Sequence, residues 1–174
     1  MFTGEKVRLT AVRAEDLPFY RKWNSEAEFG RHYNSSPIRE ISEKQAEDWF
    51  HENSERDFRF AIRPIENDTF FGVCAIEDIE WPHRVGWLSI ALGSDYQGSG
   101  CGTEAMKLLL NYGWNELNLH RLQLTVFDYN KSAIAMYEKL GFRKEGVYRE
   151  FLQRDGKRHD MYLYGILASE SSDF

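Results

Sequence analysis

Two hydrophobic periods alternate along this chain and divide it into short elements. Over residues 5–12 every second side chain is apolar, with Val7, Leu9 and Ala11 on one face, the period of a half-buried strand. Over residues 14–23 the spacing lengthens, and Leu17, Tyr20 and Trp23 fall on one helical face. Residues 26–41 hold neither period; they carry Phe29, His32, Tyr33 and Pro37 and are expected to be irregular. Ser42 with Gln45 makes a capping box, which predicts a helix from there to about residue 53. Strands are predicted at 58–63 and 70–80 around the turn Glu66-Asn67-Asp68, and at 85–92 after a turn at Trp81-Pro82-His83. The stripe Ala105, Leu108, Leu109, Tyr112 and Leu117 marks a helix, and residues 119–127 are β-rich. Residues 131–140 place Ile134, Tyr137 and Leu140 on one helical side, and Gly141 ends that helix. Two last strands, about 143–151 and 158–167, flank the turn Arg154-Asp155-Gly156.

The order is one strand, two helices, three strands, a helix, a strand, a helix and two strands. A meander followed by a βαβ unit predicts an α/β domain with a mixed, largely antiparallel sheet of about seven strands and helices on both faces. No repeat, low-complexity tract or linker interrupts it. Residues 1–174 read as a single domain with an ordered core at about 5–168 and a short acidic C-terminal tail.

The stretch from Ser89 to Ala105 holds the most specific chemistry. A strand-like run ends in a turn with glycines at alternate positions (Gly98, Gly100 and Gly102), and a helix follows at once. Bare backbone at the start of a helix can present several N–H groups and the positive dipole end together, which suits a phosphate or pyrophosphate. The dinucleotide pattern fails because Thr103 stands where its last glycine belongs, and no Gly-Lys-Ser/Thr completes a P-loop.

Composition narrows the classes. A hydrophobic content of 42% and an aromatic content of 15% exclude disorder. The net charge of −6 argues against nonspecific nucleic-acid binding and leans toward a cationic partner. No apolar run reaches membrane-span length and the N-terminus lacks a signal-peptide core, so the expectation is a cytoplasmic protein. Cys74 and Cys101 have no metal or redox spacing and the five histidines no ligand spacing, so no metal is expected.

The spacing Gln97-x-x-Gly100-x-Gly102 resembles the acetyl-CoA loop of the GNAT N-acetyltransferases. The order of elements, Asn130-Lys131-Ser132-Ala133 and Met136-Tyr137-Glu138-Lys139-Leu140-Gly141-Phe142 extend that resemblance over nearly the whole chain. Leu117-Asn118-Leu119-His120-Arg121-Leu122, and Glu150-Phe151 followed by Asp155-Gly156, look like the branch holding spermidine acetyltransferases and ribosomal-protein N-terminal acetyltransferases. The resemblance implies a GNAT-like fold acting as a monomer or homodimer. It also implies transfer of acetyl from acetyl-CoA to a primary amine by direct attack in a ternary complex. A coenzyme A-binding sensor or interaction module on the same fold, without turnover, is the alternative.

What the resemblance implies for the site is specific. The N–H groups of Gly98, Ser99, Gly100, Cys101, Gly102 and Thr103 would hold the pyrophosphate, with Gln97 in the same loop. The backbone of Ile90, Ala91 and Leu92 would hold the pantetheine arm and the thioester oxygen. Asn130 and Ser132 would touch the same arm, although Asn130 is also a good N-cap. Tyr137 would be the general acid: a phenol near pKa 10 is protonated at neutral pH and can supply a proton to a thiolate near 8.5. Family members often carry a Glu after a His-Arg pair; here His83-Arg84 is followed by Trp87 at that place. The base is therefore expected to be Asp78 or Glu77, acting directly or through water, with Asp78 and Glu80 on one strand face and Glu77 on the other. Cys101 has no histidine within motif reach and is not read as a nucleophile. Glu26, Glu28, Phe29, Tyr33 and Trp81 are candidates to line the amine pocket, where aromatic faces and carboxylates suit a cation. The missing Glu leans toward an α-amine acceptor, since an amine of pKa about 8 needs less help than one near 10, whereas the tail motifs lean toward polyamines.

Overall fold

A computed structural model describes residues 1–51 and 54–171. The strands are β1 (Val7–Thr10), β2 (Phe58–Pro64), β3 (Gly72–Glu80), β4 (Val85–Leu92), β5 (Arg121–Phe127), β6 (Arg143–Arg154) and β7 (Lys157–Leu167). The helices are α1 (Leu17–Ser25), α2 (Ala27–Tyr33), α3 (Glu43–His51), α4 (Cys101–Asn115) and α5 (Lys131–Lys139). One seven-stranded sheet runs β1-β2-β3-β4-β5-β7-β6, antiparallel at every pair except β4–β5.

Each face of the sheet has its own apolar cluster. Leu109, Leu110 and Met106 of α4, Tyr137 of α5 and Leu140 just after it pack on Ile62, Cys74, Ile76 and Leu88. Leu17, Tyr20 and Trp23 of α1 and Phe29 of α2 pack on Ala61, Val73 and Ala91 of the opposite face. Period-2 alternation thus divides the side chains of β2, β3 and β4 between two helical layers.

Three expectations are corrected. The segment expected to be irregular forms α2, whose apolar face is carried by Phe29 and Tyr33 at i, i+4, too few residues to register as a period. Phe70 is not in β3; its ring stacks on Trp23 at 5.2 Å, below α1. The alternation expected across 77–80 is broken by a bulge, with Asp78 at φ +50° and the β3–β4 register shifted between Glu77 and Glu80. The Ser42–Gln45 capping box is formed as expected, and the expected end of α3 near residue 53 lies outside the described residues.

Two polar ties position the layers. Arg63 of β2 and Asp16, just before α1, form an ion pair at 2.6 Å with both side chains 1% exposed. Arg63 also donates to the Thr10 hydroxyl at 3.0 Å and the Asp68 carbonyl at 2.6 Å. On the other face the Glu104 carboxylate accepts the N–H groups of Glu5, Lys6 and Val7 at 2.9, 2.8 and 2.7 Å. Burial opposes its ionisation, but those donors and the Lys6 charge outweigh it and hold its pKa below the usual carboxylate value. The first turn of α4, and with it the glycine loop, is fixed to the edge of the sheet.

Candidate active site

The parallel pair β4 and β5 is hydrogen-bonded only from Val85–Trp87 to Arg121–Gln123, and beyond that the strands splay. A cleft of about 660 Å³ opens in the gap, lined by Trp87 through Leu92 on one side and Thr125, Val126 and Phe127 on the other. Backbone groups of β4 past Trp87 have lost their β5 partners, so they are available to an extended ligand arm.

The glycine loop closes one end. Gly98 (φ +76°) and Gly100 (φ +87°) sit in the left-handed region, and Gly100 caps α4. A Cβ on Gly102 would stand 3.0 Å from Leu92 Cδ1, so the absence of a side chain lets α4 begin against the end of β4. The Gln97 amide donates to the Leu92 carbonyl at 3.0 Å, and Lys6 Nζ donates to the Ser99 carbonyl at 2.9 Å. Both hold the loop's shape. The Cys101 side chain is buried in the α4 core, so only its N–H belongs to the loop.

Across the cleft, Asn130 caps α5: its Oδ1 accepts from the Ala133 N–H at 3.3 Å and the Ser132 hydroxyl at 3.2 Å. Tyr137 lies three positions before Leu140, and its end of the helix is closed by a Schellman turn. Phe142 N–H donates to the Tyr137 carbonyl and Gly141 N–H to the Glu138 carbonyl, at 3.0 and 3.1 Å, with Gly141 at φ +91°. The Tyr137 ring lines the cleft while only 7% exposed, and burial pushes its phenol well above the ordinary value near 10. The group stays protonated across the working range and can offer its O–H as a donor.

The far end is roofed by α2. Glu28, Phe29 and Tyr33 line it with Trp87 and Ser89 of β4 and Phe151 of β6. Phe151 arrives there through a register shift between Tyr148 and Leu152, with Glu150 at φ +51° and its N–H donating to Asp160 Oδ1 at 2.8 Å. Behind this wall Ser89 Oγ donates to Glu77 Oε2 at 3.0 Å, and Glu77 Oε1 accepts from Arg59 Nε at 2.9 Å.

The structure therefore brings together Gln97, Gly98, Ile90, Ala91, Leu92, Asn130, Ser132, Tyr137, Glu28, Phe29 and Tyr33 around one cleft. Three residues expected at the acceptor end are elsewhere. Asp78 is 78% exposed at its bulge, facing Arg56 at 3.9 Å. Trp81 is held away by its indole N–H donating to the Glu55 carbonyl at 3.1 Å and by edge-on packing against Phe58, on the α4 side. Glu26 is the extended N-cap of α2 and does not line the cleft. Glu77 stands one hydrogen bond behind the wall. Trp87 and Ser89 could have been found by alternation with Ala91 along 85–92, whereas Met161 comes from a distant hairpin with no local signal, and the Glu150-Phe151 motif did not show that Phe151 reaches the cleft.

Comparison with known proteins agrees with this geometry. Residues 6–143 match the acetyltransferase (GNAT) domain family. The spermidine N(1)-acetyltransferase of Escherichia coli K12 is 32% identical over 148 residues, covering 84% of this chain and 77% of that protein. An uncharacterized N-acetyltransferase, p20, of Bacillus licheniformis is 28% identical over 171 residues, covering 95% of each. Among solved structures, the spermidine N-acetyltransferase of Vibrio cholerae in complex with CoA and spermine superposes with a TM-score of 0.86 at 25% identity, covering 94% of this chain and 96% of that one.

Proposed function

The chain belongs to the GNAT acetyltransferase family, and from that premise we propose that it transfers acetyl from acetyl-CoA to a primary amine of a small, flexible, polyamine-like cation. One observation carries the acceptor class. Among the described residues lining the cleft, Glu28 is the one carboxylate and there is no Lys or Arg. The surrounding faces of Phe29, Tyr33, Trp87 and Phe151 favour an alkylammonium over an anion or a neutral amine. The similarity to spermidine acetyltransferases supports the same class.

The residues present fit the co-substrate. Gly98 and Gly100 have the left-handed backbone, and Gly102 the close approach, that gather N–H groups around a pyrophosphate at the start of α4. The unpaired edge of β4 fits an amide-containing arm by strand-like hydrogen bonds. Tyr137 lines the same cleft, where its O–H would serve to stabilise and protonate a leaving sulfur. Neither cysteine reaches the cleft: Cys101 is in the α4 core, and Cys74 is buried with its thiol pushed up by desolvation. That arrangement supports direct attack by the amine without a cysteinyl intermediate.

The test is thiol release from acetyl-CoA with a panel containing spermidine, spermine, a dipeptide and an aminoglycoside. The reading expects the polyamines to have the highest kcat/KM. A dipeptide preferred tenfold or more would move the assignment to α-amines, and tight acetyl-CoA binding without release for any amine would favour a sensor.

A further inference from the structure

Resting on the acetyl-transfer reading, we propose that Ser89 is a proton carrier that connects the acceptor nitrogen to Glu77. The observation is a chain of hydroxyls and charges that crosses the cleft wall. Ser89 and Tyr33 line the cleft, and Glu77 does not. Ser89 Oγ donates to Glu77 Oε2 at 3.0 Å and interacts with the Tyr33 phenol, so it faces both the cavity and the carboxylate.

The carboxylate itself is braced from behind. Arg59 Nε donates to its other oxygen at 2.9 Å, and Arg59 Nη2 lies 3.5 Å from Asp57. Asp57 in turn accepts the N–H of Asp78, the bulged residue that follows Glu77, at 2.8 Å. The bulge, Asp57 and Arg59 together fix where Glu77 points. The groups around Glu77 are Tyr20 from α1, Tyr33 from α2, and Arg59 with Asp57 from β2 and the segment before it.

The chemistry requires a base at this point but not a strong one. An ordinary carboxyl and an alkylammonium differ by about six pKa units, so a carboxylate does not strip a free ammonium. The neutral amine attacks first. Its lone pair forms the C–N bond as the carbonyl π pair moves to oxygen, and the nitrogen, now positive, becomes a strong acid. One N–H bond then breaks, its proton passes to Ser89 Oγ, and the original Ser89 proton passes to Glu77 Oε2. The oxyanion's electron pair then re-forms the C=O bond as the C–S bond breaks with its pair on sulfur, which takes a proton from Tyr137. Water returns the proton on Glu77 to solvent and restores Tyr137. Ser89 ends unchanged, and Glu77 never touches the acceptor.

The experiment compares kcat from pH 6.5 to 9.5 for wild type, Ser89→Ala, Ser89→Thr and Glu77→Gln. Acetyl-CoA affinity is measured by calorimetry and folding by circular dichroism. The expected result is a loss of about 100-fold at pH 7 for Ser89→Ala, at the lower end of general-base effects. Acetyl-CoA affinity should be unchanged, and the deficit should shrink to about threefold at pH 9.5, where hydroxide takes the nitrogen proton. Ser89→Thr, which keeps the hydroxyl, should retain most of the activity. A deficit for Ser89→Ala that is the same at every pH, or none at all, would overturn the relay, and this variant decides even if Glu77→Gln fails to fold. A wild type that acetylates no amine would overturn the acetyl-transfer reading instead, and the relay with it.

Discussion

The backbone N–H of Phe142 donates to the Tyr137 carbonyl at 3.0 Å while the two rings meet edge-on with centroids 5.8 Å apart. Tyr137 is thus held at both its backbone and its ring by the turn that ends its helix, which explains why Leu140-Gly141-Phe142 follows it. The Gly141→Ala variant tests this tie. A Cβ there would meet only Ile166 at an ordinary 3.7 Å, so the cost lies in the φ of +91°, about 1–2 kcal/mol. The unfolding free energy should fall by that amount, and kcat should fall while acetyl-CoA affinity stays. An unchanged kcat in a destabilised variant would show that the turn does not position the phenol.

Tyr137→Phe should fold as wild type and bind acetyl-CoA normally, with kcat reduced by about 100-fold. Single-turnover kinetics check that chemistry is the step measured. Equal turnover in that regime would leave Tyr137 as packing alone.

The pH dependence has a definite sign. Burial raises Tyr137 and Tyr33 above the ordinary phenol value, and Tyr20 to about 12. A folded-state pKa above the unfolded value near 10 means that the folded chain binds more protons once pH exceeds 10. These groups contribute their full stability below pH 10 and lose it as pH rises toward their folded values, at up to about 1.4 kcal/mol per pH unit for each group. Unfolding free energy from urea titrations should show no phenol-dependent fall below pH 9.5 and a steep one above pH 10. For the same reason kcat should show no descending limb from Tyr137 below pH 10.

Loop variants should separate backbone from side-chain roles. Gly100→Val and Gly102→Val should weaken acetyl-CoA binding severely, the first through its left-handed φ and the second by pressing on Leu92. Cys101→Ser should leave binding nearly intact, because the sulfur faces the core. Calorimetry giving the opposite order would remove the phosphate-cradle argument.

Asp16→Ala should cost about 3–5 kcal/mol, because it leaves the Arg63 guanidinium buried without its charged partner. The site lies across the sheet from the glycine loop, so acetyl-CoA affinity in the folded fraction should not change.

Local pattern made part of this legible. Val85–Leu92, the glycine turn, the Asn130 cap and the Tyr137-to-Phe142 end are each contiguous, and their chemistry is written in neighbouring residues. The acceptor wall is not. Phe151 depends on a bulge in β6, Glu77 on a bulge at Asp78, and Trp81 is withdrawn by a carbonyl of residue 55. Strand alternation cannot anticipate a residue that interrupts it, and a seven-residue helix such as α2 has too few apolar positions to show a period.

Initial-velocity kinetics of thiol release, varying acetyl-CoA against spermidine, test direct transfer at this cleft most simply. Intersecting reciprocal plots, with wild-type kcat about 100-fold above Tyr137→Phe, are the predicted result. Parallel plots, which signal an acyl-enzyme, or no release with any amine, would contradict it.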